Sequence, residues 1–317
     1  MNVGYTLSSE EHGPRELVDN AVAAEEAGFD FLMISDHYHP WTDRQGHSPF
    51  VWSVLGALAR ATERVAIGTG VTCPIGRIHP VILAQAAATA AILLEGRFRF
   101  GVGTGEVLNE HVTGDRWPPI DERLDRLEEA IELMRELWEG GTTTHRGRYF
   151  TVQQARVYDL PERPPPVLVA AKGDRATELA GRVGDGLIAV APDPETVQAF
   201  DRAGGSGKPR HGQVHVCWAE DEAKARRTAY EWWPNAALGG ELGVELPLPR
   251  HFEQAAETVR EDDVARTVVC GPDPDRHVEA IRQYADAGFD HVGVHQIGPD
   301  QRGFQRFYED RVLPKVR

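Results

Sequence analysis

Short runs of apolar residues recur along this sequence, each preceded by a longer stretch in which apolar positions step by three and four. Ala23-Ala24-Glu25-Glu26-Ala27-Gly28-Phe29-Asp30 runs into Phe31-Leu32-Met33-Ile34, and Tyr284-Ala285-Asp286-Ala287-Gly288-Phe289-Asp290 runs into His291-Val292-Gly293-Val294. A third copy is Ala180-Gly181-Arg182-Val183-Gly184-Asp185-Gly186 before Leu187-Ile188-Ala189-Val190. In each, a helix is expected to end at a glycine suited to the left-handed conformation, with a buried strand two residues on. Repetition of helix, tight turn and buried strand marks a parallel α/β fold.

On that basis strands are predicted over 2–7, 30–35, 64–70, 97–103, 166–171, 185–190, 212–218 and 290–296. Helix 14–27 opens at Pro14 and places Leu17, Val18, Ala21 and Val22 on one face; helix 120–139 carries Leu124, Leu127, Ile131, Met134 and Trp138 at helical steps. Eight strands alternating with helices over 317 residues fit an α/β fold of one (β/α)8 TIM barrel better than two Rossmann domains. Residues 141–157 read as a hairpin excursion, Pro161 to Pro166 as a proline-rich lead into a strand, and 234–263 as an insertion before a helix. No long polar linker divides the chain, so 1–317 is expected to be a single domain with insertions near 141–165 and 234–263.

Composition narrows the function. The 49 acidic side chains against 34 basic ones, for a net charge of -15, argue against nucleic acid as a partner. No basic amphipathic stretch suggests a membrane surface, and no 18-residue apolar run or signal-like N-terminus is seen. Cys73, Cys217 and Cys270 lie far apart without a CxxC pair, which fits a reducing cytoplasm. Only Lys172, Lys208, Lys224 and Lys315 are lysines, so anion recognition is expected to fall mostly to arginine.

In a barrel the chemistry sits at the C-terminal ends of the strands. The second predicted strand leads into Ser35-Asp36-His37-Tyr38-His39-Pro40-Trp41, and the third into Gly68-Thr69-Gly70-Val71-Thr72-Cys73-Pro74. The fourth leads into Gly101 to Glu110, and the fifth ends at Ala170-Ala171-Lys172-Gly173. His37 has the side chain and the position of a general base. The run 101–105 reads G-x-G-x-G and lacks the third glycine of a dinucleotide loop, which leaves close backbone approach to a flat ring as the simpler reason for its glycines.

Taken together, Gly4-Tyr5-x-x-Ser8-x-Glu10, Ser35-Asp36-His37-x-x-Pro40-Trp41, Gly103-x-Gly105-Glu106-x-x-Asn109-Glu110 and Gly184-Asp185-Gly186 resemble the bacterial-luciferase-like superfamily. Within it, the chain is most similar to the branch that uses coenzyme F420, which includes glucose-6-phosphate dehydrogenases and secondary-alcohol dehydrogenases. The resemblance implies a cytoplasmic homodimer that transfers hydride between the deazaflavin and an alcohol or sugar. It assigns His37 as the base and Asp36 as the group that orients the histidine or the deazaflavin edge. Glu106 becomes the acid that serves the cofactor ring, Glu10 its helper across the pocket, and Trp41 an aromatic wall for substrate or ring.

The same resemblance implies that the ring lies against Gly70-Val71, a non-proline cis peptide in the relatives, and near Cys73, Gly105, Glu106, Asn109, Ala171, Lys172 and Gly173. Arg77 and Lys172, helped by backbone N–H groups around Gly173, are the expected partners of the anionic cofactor tail. Glucose-6-phosphate dehydrogenases of this branch hold the phosphate with basic residues at three places, where this sequence has Asp193, Leu242 to Val244, and Thr267, with Arg266 beside the last. A neutral alcohol or unphosphorylated sugar is therefore favoured, with a sugar phosphate second.

Three other readings compete. An FMN-dependent monooxygenase would share the fold and a flat tricyclic ring. His37-Tyr38-His39 also matches the opening of a metal-dependent barrel hydrolase, although no histidine follows the fifth or sixth strand. The last is a protein that binds the cofactor without catalysis, against which His37 and Glu106 together argue.

Overall fold

Eight parallel strands close into a barrel in the computed structural model, which describes residues 1–317. The strands of the chain are β1 (Asn2–Leu7), β2 (Phe31–Ile34), β3 (Ala66–Thr69), β4 (Phe98–Val102), β5 (Thr143–Arg146), β6 (Thr151–Ala155), β7 (Val167–Ala170), β8 (Gly186–Ala189), β9 (Arg210–Cys217), β10 (Val269–Cys270) and β11 (His291–Gln296). Around the barrel the order is β9-β11-β1-β2-β3-β4-β7-β8, and pairing of β8 with β9 closes it. Val3 pairs with Val292, so the first and last strands lie side by side, and Leu7 pairs with Ile34 of β2. All eight predicted barrel strands are present. The seventh begins two residues earlier than expected, at Arg210.

Helices α1 (Pro14–Glu26), α2 (Val51–Ala61), α3 (Pro80–Leu93), α4 (Val107–Glu110), α5 (Ile120–Trp138), α6 (Asp174–Val183) and α7 (Pro194–Phe200) follow in the first two thirds of the chain. Then come α8 (Glu222–Trp232), α9 (Leu242–Glu245), α10 (Pro249–Ala256), α11 (Glu261–Val264), α12 (Pro274–Asp286) and α13 (Gln301–Phe307). α1 starts at Pro14, where a missing N–H costs nothing, and the Glu16 carboxylate accepts the Gly13 N–H at 3.1 Å. Gly28 and Gly288 end their helices at φ +87° and +97°, as the repeat predicts. Gly184 departs from that pattern: its φ is -78°, and a Cβ there would stand 2.6 Å from the Ala180 carbonyl. Close packing, not handedness, requires that glycine.

The amphipathic stripe of α5 is buried as read, with Leu124, Leu127, Ile131 and Met134 in the core and Trp138 Nε1 donating to the Ala84 carbonyl at 2.8 Å. Each such side chain contributes about 1.5–3 kcal/mol of transfer free energy. The predicted hairpin is β5–β6, and its turn is tied to α5 because Glu129 accepts the N–H groups of Arg148, Tyr149 and Phe150 at 2.8–3.1 Å. The segment 234–263 is not a plain loop. It folds into α9, α10 and the start of α11 and covers the open end of the barrel. The two-residue strand β10, which pairs with Val216 and Cys217 outside the barrel, is too short to leave a periodic signal.

One apolar cluster of 62 buried residues joins the barrel to its helices. Near its centre Gly101 lets the β3 and β4 backbones meet, because a Cβ there would lie 1.9 Å from the Thr69 carbonyl oxygen. Thr69 and Thr72 in turn donate to the Gly101 carbonyl, at 2.7 and 2.9 Å. Gly101→Ala is expected to cost about 2–3 kcal/mol through this overpacking. Urea unfolding would read it as a lowered midpoint with an unchanged slope; an unshifted midpoint would contradict the packing argument.

Candidate active site

The C-terminal ends of the strands and the 234–263 cover enclose a cavity of about 1020 Å³. Of the residues anticipated from sequence, Glu10, Asp36, His37, Trp41, Gly70, Val71, Cys73, Gly105, Glu106, Ala171, Lys172 and Gly173 all line it. The Gly70–Val71 peptide is cis. Gly70 N–H donates to the Ile34 carbonyl at 2.8 Å, which ties the peptide to the end of β2.

His37 is the side chain whose surroundings are most specific. Its Nδ1 lies 3.1 Å from the His39 carbonyl, and its Nε2 lies 3.3 Å from Glu10 Oε1. A carbonyl only accepts, so Nδ1 carries a proton, and Nε2 is the ring nitrogen that faces the Glu10 carboxylate. Glu10 Oε2 accepts from Ser35 Oγ at 2.6 Å and from Ser8 Oγ at 3.1 Å. Burial alone would raise the Glu10 pKa, but His37 and the Ser35 hydroxyl outweigh it and hold the carboxyl below the usual carboxylate range. Glu10 thus partners His37, not Glu106. Trp41 packs obliquely on the His37 ring at 4.9 Å and edge-on to Phe252 of α10 at 5.1 Å.

Asp36 does not orient His37. Its Oδ1 accepts from Arg77 Nη2 at 2.5 Å and its Oδ2 from Thr72 Oγ1 at 2.7 Å. Arg77 also reaches Glu110, with Nε 3.5 Å from Oε1 and its backbone N–H donating to Oε2 at 2.7 Å. The guanidinium is therefore clamped between two carboxylates, with its side chain 6% exposed. This corrects the expectation that Arg77 binds the cofactor tail: its side chain is buried, engaged by Asp36 and Glu110, and absent from the cavity lining. Burial pushes the Glu110 carboxyl up to about 7, against the opposing effect of Arg77. Gly76 makes room for it, because a Cβ there would meet Glu110 at 2.2 Å.

Asn109 also departs from its expected role. It is 1% exposed, its Oδ1 accepts from Tyr38 and His39 N–H at 2.8 and 3.2 Å, and its Nδ2 donates to Glu106 Oε2 at 3.1 Å. It holds Glu106 and the histidine loop in register and does not line the cavity. Cys73 is buried and its thiol pKa is raised well above the ordinary value by burial, so it packs as a neutral group beneath Gly105. Gly105, at φ +72°, has room for no Cβ, which would lie 2.7 Å from Cys73 Sγ. Lys172 is exposed at the cavity mouth, where its Nζ lies 3.4 Å from the Gly240 carbonyl.

His39, the second histidine of the HxH, donates through Nδ1 to the Leu108 carbonyl at 2.9 Å and stacks on His111. No group of three or more histidine, cysteine or acidic side chains lies in a geometry that could hold a metal ion. Sequence reasoning overlooked Thr72, Glu110, His215, Trp233 and His295. Glu110 stood in a quoted motif, but only the fold shows that it faces Arg77.

A closed parallel barrel with a deep cavity at the C-terminal ends of its strands, lined by a buried histidine–carboxylate pair, has the architecture of a barrel enzyme. The chain belongs to the luciferase-like monooxygenase family, whose model matches residues 1–291. It is 40% identical over 329 residues to the F420-dependent glucose-6-phosphate dehydrogenase of Microbacterium testaceum, covering 100% of this chain and 98% of that one. A protein of the same description from Nakamurella multipartita is also 40% identical, over 331 residues, covering 100% and 97%. Among solved structures, an F420-dependent secondary alcohol dehydrogenase in complex with an F420-acetone adduct superposes with a TM-score of 0.92 at 29% identity, covering 100% and 99% of the two chains.

The raised Glu110 pKa has a sign that can be tested. Because the folded value of about 7 exceeds the ordinary 4.5, the folded state binds the extra proton, and stability is lost as pH rises from about 4.5 to about 7. Glu110→Gln removes that loss. Its urea midpoint is therefore expected to gain on the wild type across this interval, and parallel pH profiles would contradict the assignment.

Proposed function

We propose that this chain is an F420-dependent dehydrogenase that oxidises a CH–OH group of a sugar or secondary alcohol. The observation that carries this reading is the His37–Glu10 pair opening onto a cavity backed by the Gly70–Val71 peptide, in a chain whose full-length relatives are named for F420 chemistry. The residues fit a flat ring with an anionic tail. Gly70, Val71, Ala170 and Ala171 offer little side-chain bulk along one wall, and a Cβ at Gly173 would meet open space at the start of α6. When bound, the deazaflavin supplies the hydride acceptor.

His37 Nε2 takes the hydroxyl proton, and Glu10 stabilises the imidazolium that forms. Glu106, steadied by Asn109, presents a second carboxyl to the cavity for the proton that serves the ring. Trp41 covers one face of His37 and limits its rotation. Lys172 and the N–H groups beginning α6 suit the anionic tail.

The relatives support a sugar phosphate as substrate. A specific observation favours a second reading, a neutral substrate: the cavity wall carries Glu10, Asp36, Glu106, Glu110, Glu241 and Glu245 but only Arg123 and Lys172 as cations. Arg123 is engaged with Glu245 at 3.3 Å and packs over Trp117. Asp193 caps α7, and the Thr267 hydroxyl donates to the Val264 carbonyl.

The whole chain is read as one working unit, and as a homodimer in the cytoplasm. α3 has only Gln85 and Thr89 as polar residues, and Ile82, Ile92 and Leu93 on it are 54%, 41% and 45% exposed, which suits a face covered by a second copy. Light scattering is expected to give twice the 35.0 kDa of the chain, and a monomer would overturn this.

Fluorescence titration is expected to show saturable binding of F420 and none of FMN; the reverse result would return the site to an FMN monooxygenase. His37→Ala should keep cofactor affinity and lose about 10²–10⁴-fold in kcat. In a panel of glucose 6-phosphate, glucose and 2-propanol, F420 reduction with the lowest KM for the phosphate supports a sugar phosphate. A lower KM for a neutral compound supports the second reading, and no reduction with any hydroxyl compound would overturn the proposal.

A further inference from the structure

Two consecutive glutamates on the loop after β1 each back a histidine of the cavity. Glu10 partners His37, as described. Glu11, with a fully buried side chain, accepts the Gly298 N–H on Oε1 at 2.8 Å, and its Oε2 lies 2.7 Å from His295 Nε2. His295 Nδ1 is in turn 2.9 Å from His215 Nδ1. His295 is 2% exposed, whereas His215 is half-buried; both line the cavity beside Trp233, whose ring lies 4.5 Å from His295.

With both imidazoles neutral, this chain of contacts has one consistent proton arrangement. The Glu11 carboxylate only accepts, so His295 donates from Nε2 and its Nδ1 holds the lone pair. His215 must then donate from Nδ1, which leaves Nε2 as an acceptor. Burial keeps His215 neutral, with a pKa pushed down to about 3. Nδ1 is the ring nitrogen of His215 that bonds within the protein, and Nε2 sits on the opposite side of a ring that lines the cavity. A bare imidazole nitrogen there rejects a carbonyl or phosphate oxygen that brings no hydrogen and accepts a hydroxyl.

Resting on the dehydrogenase reading above, we propose that His215 accepts a hydrogen bond from a substrate hydroxyl other than the one oxidised at His37, so that the cavity selects compounds with two or more hydroxyl groups. The relay Glu11–His295 is the positioning device: it sets which His215 nitrogen carries the proton. His37 and His215 thereby divide the work, one removing a proton and the other reading a neighbouring hydroxyl. A site that hydrogen-bonds a hydroxyl discriminates strongly against analogues without it, because the buried acceptor is then left unpaired.

Two measurements test this on the full chain. Long-range proton–nitrogen correlation spectra of histidine-labelled protein are expected to show His215 protonated on Nδ1 and bare on Nε2, with His295 protonated on Nε2; Glu11→Gln should disturb both patterns. In steady-state F420 reduction, the ratio of kcat/KM for glucose to kcat/KM for 2-propanol is expected to fall at least about tenfold in His215→Phe, the equivalent of one hydrogen bond. His215→Gln, whose Oε1 stands near the Nε2 position, should restore most of it. A proton on His215 Nε2, or an unchanged ratio in His215→Phe, overturns this inference alone. Failure of the wild type to reduce F420 with any hydroxyl compound, with the predicted tautomers present, would instead overturn the reading of the reaction.

Discussion

A guanidinium held between two carboxylates organises the open end of this barrel. Arg77 leaves the loop after β3 and meets Asp36 at the end of β2 and Glu110 at the end of α4, so three separate crossings are joined at one charge. The pair is nearly excluded from water, where removing one member strands a charge at a cost of about 3–5 kcal/mol. Thr72 and the backbone of Gly76 complete the arrangement, and the Gly70–Val71 wall and Cys73 lie on the loop it fixes. Asn109, one residue before Glu110, carries the order onward to Glu106 and to the His37 loop. The Gly70–Val71 wall and the His37 loop are thus joined to one ion-pair cluster.

The net charge of -15 looks different once the side chains are placed. Several arginines are committed to acids over the surface, as in Arg182 with Glu128 and Arg210 with Asp201. Surface pairs of this kind add little stability, but they leave few guanidinium groups free for an anion. Lys172 at the cavity mouth stands apart because its partner is a carbonyl, not a carboxylate. Two of the carboxylates at this end of the barrel act on imidazoles: Glu10 on His37, and Glu11 on His295. Acidic character here sets tautomers and proton positions as much as it repels anions.

Much of the fold is legible in the sequence. The eight barrel strands, helices 14–27 and 120–139 and the β5–β6 hairpin follow from short-range periodicity, and Gly28 and Gly288 have the conformation that their turns require. The candidate site was legible only as a set of members. Twelve of the site residues assigned from sequence line the cavity, yet the partners of several assigned residues were misread: Glu10 serves His37, Asp36 serves Arg77, and Asn109 serves Glu106. Membership can be carried by a motif, whereas pairing depends on distances across loops that the motif does not contain.

By itself the sequence determined the alternation of helix and strand, the barrel that this alternation closes into, and the family to which the chain belongs. Those properties are written in patterns of period two and 3.6 and in short motifs, which are local. The tertiary structure alone decided that Arg77 is a structural clamp, that Gly184 is needed for packing, and that Glu11, His295 and His215 form one relay. Glu11 and His295 are 284 positions apart, and only the pairing of β1 with β11 and of β11 with β9 brings their chain of contacts together. Hydrogen bonds and ion pairs act over about 3 Å of space whatever the distance along the chain, so the division of roles among these acids and histidines exists only in the folded barrel.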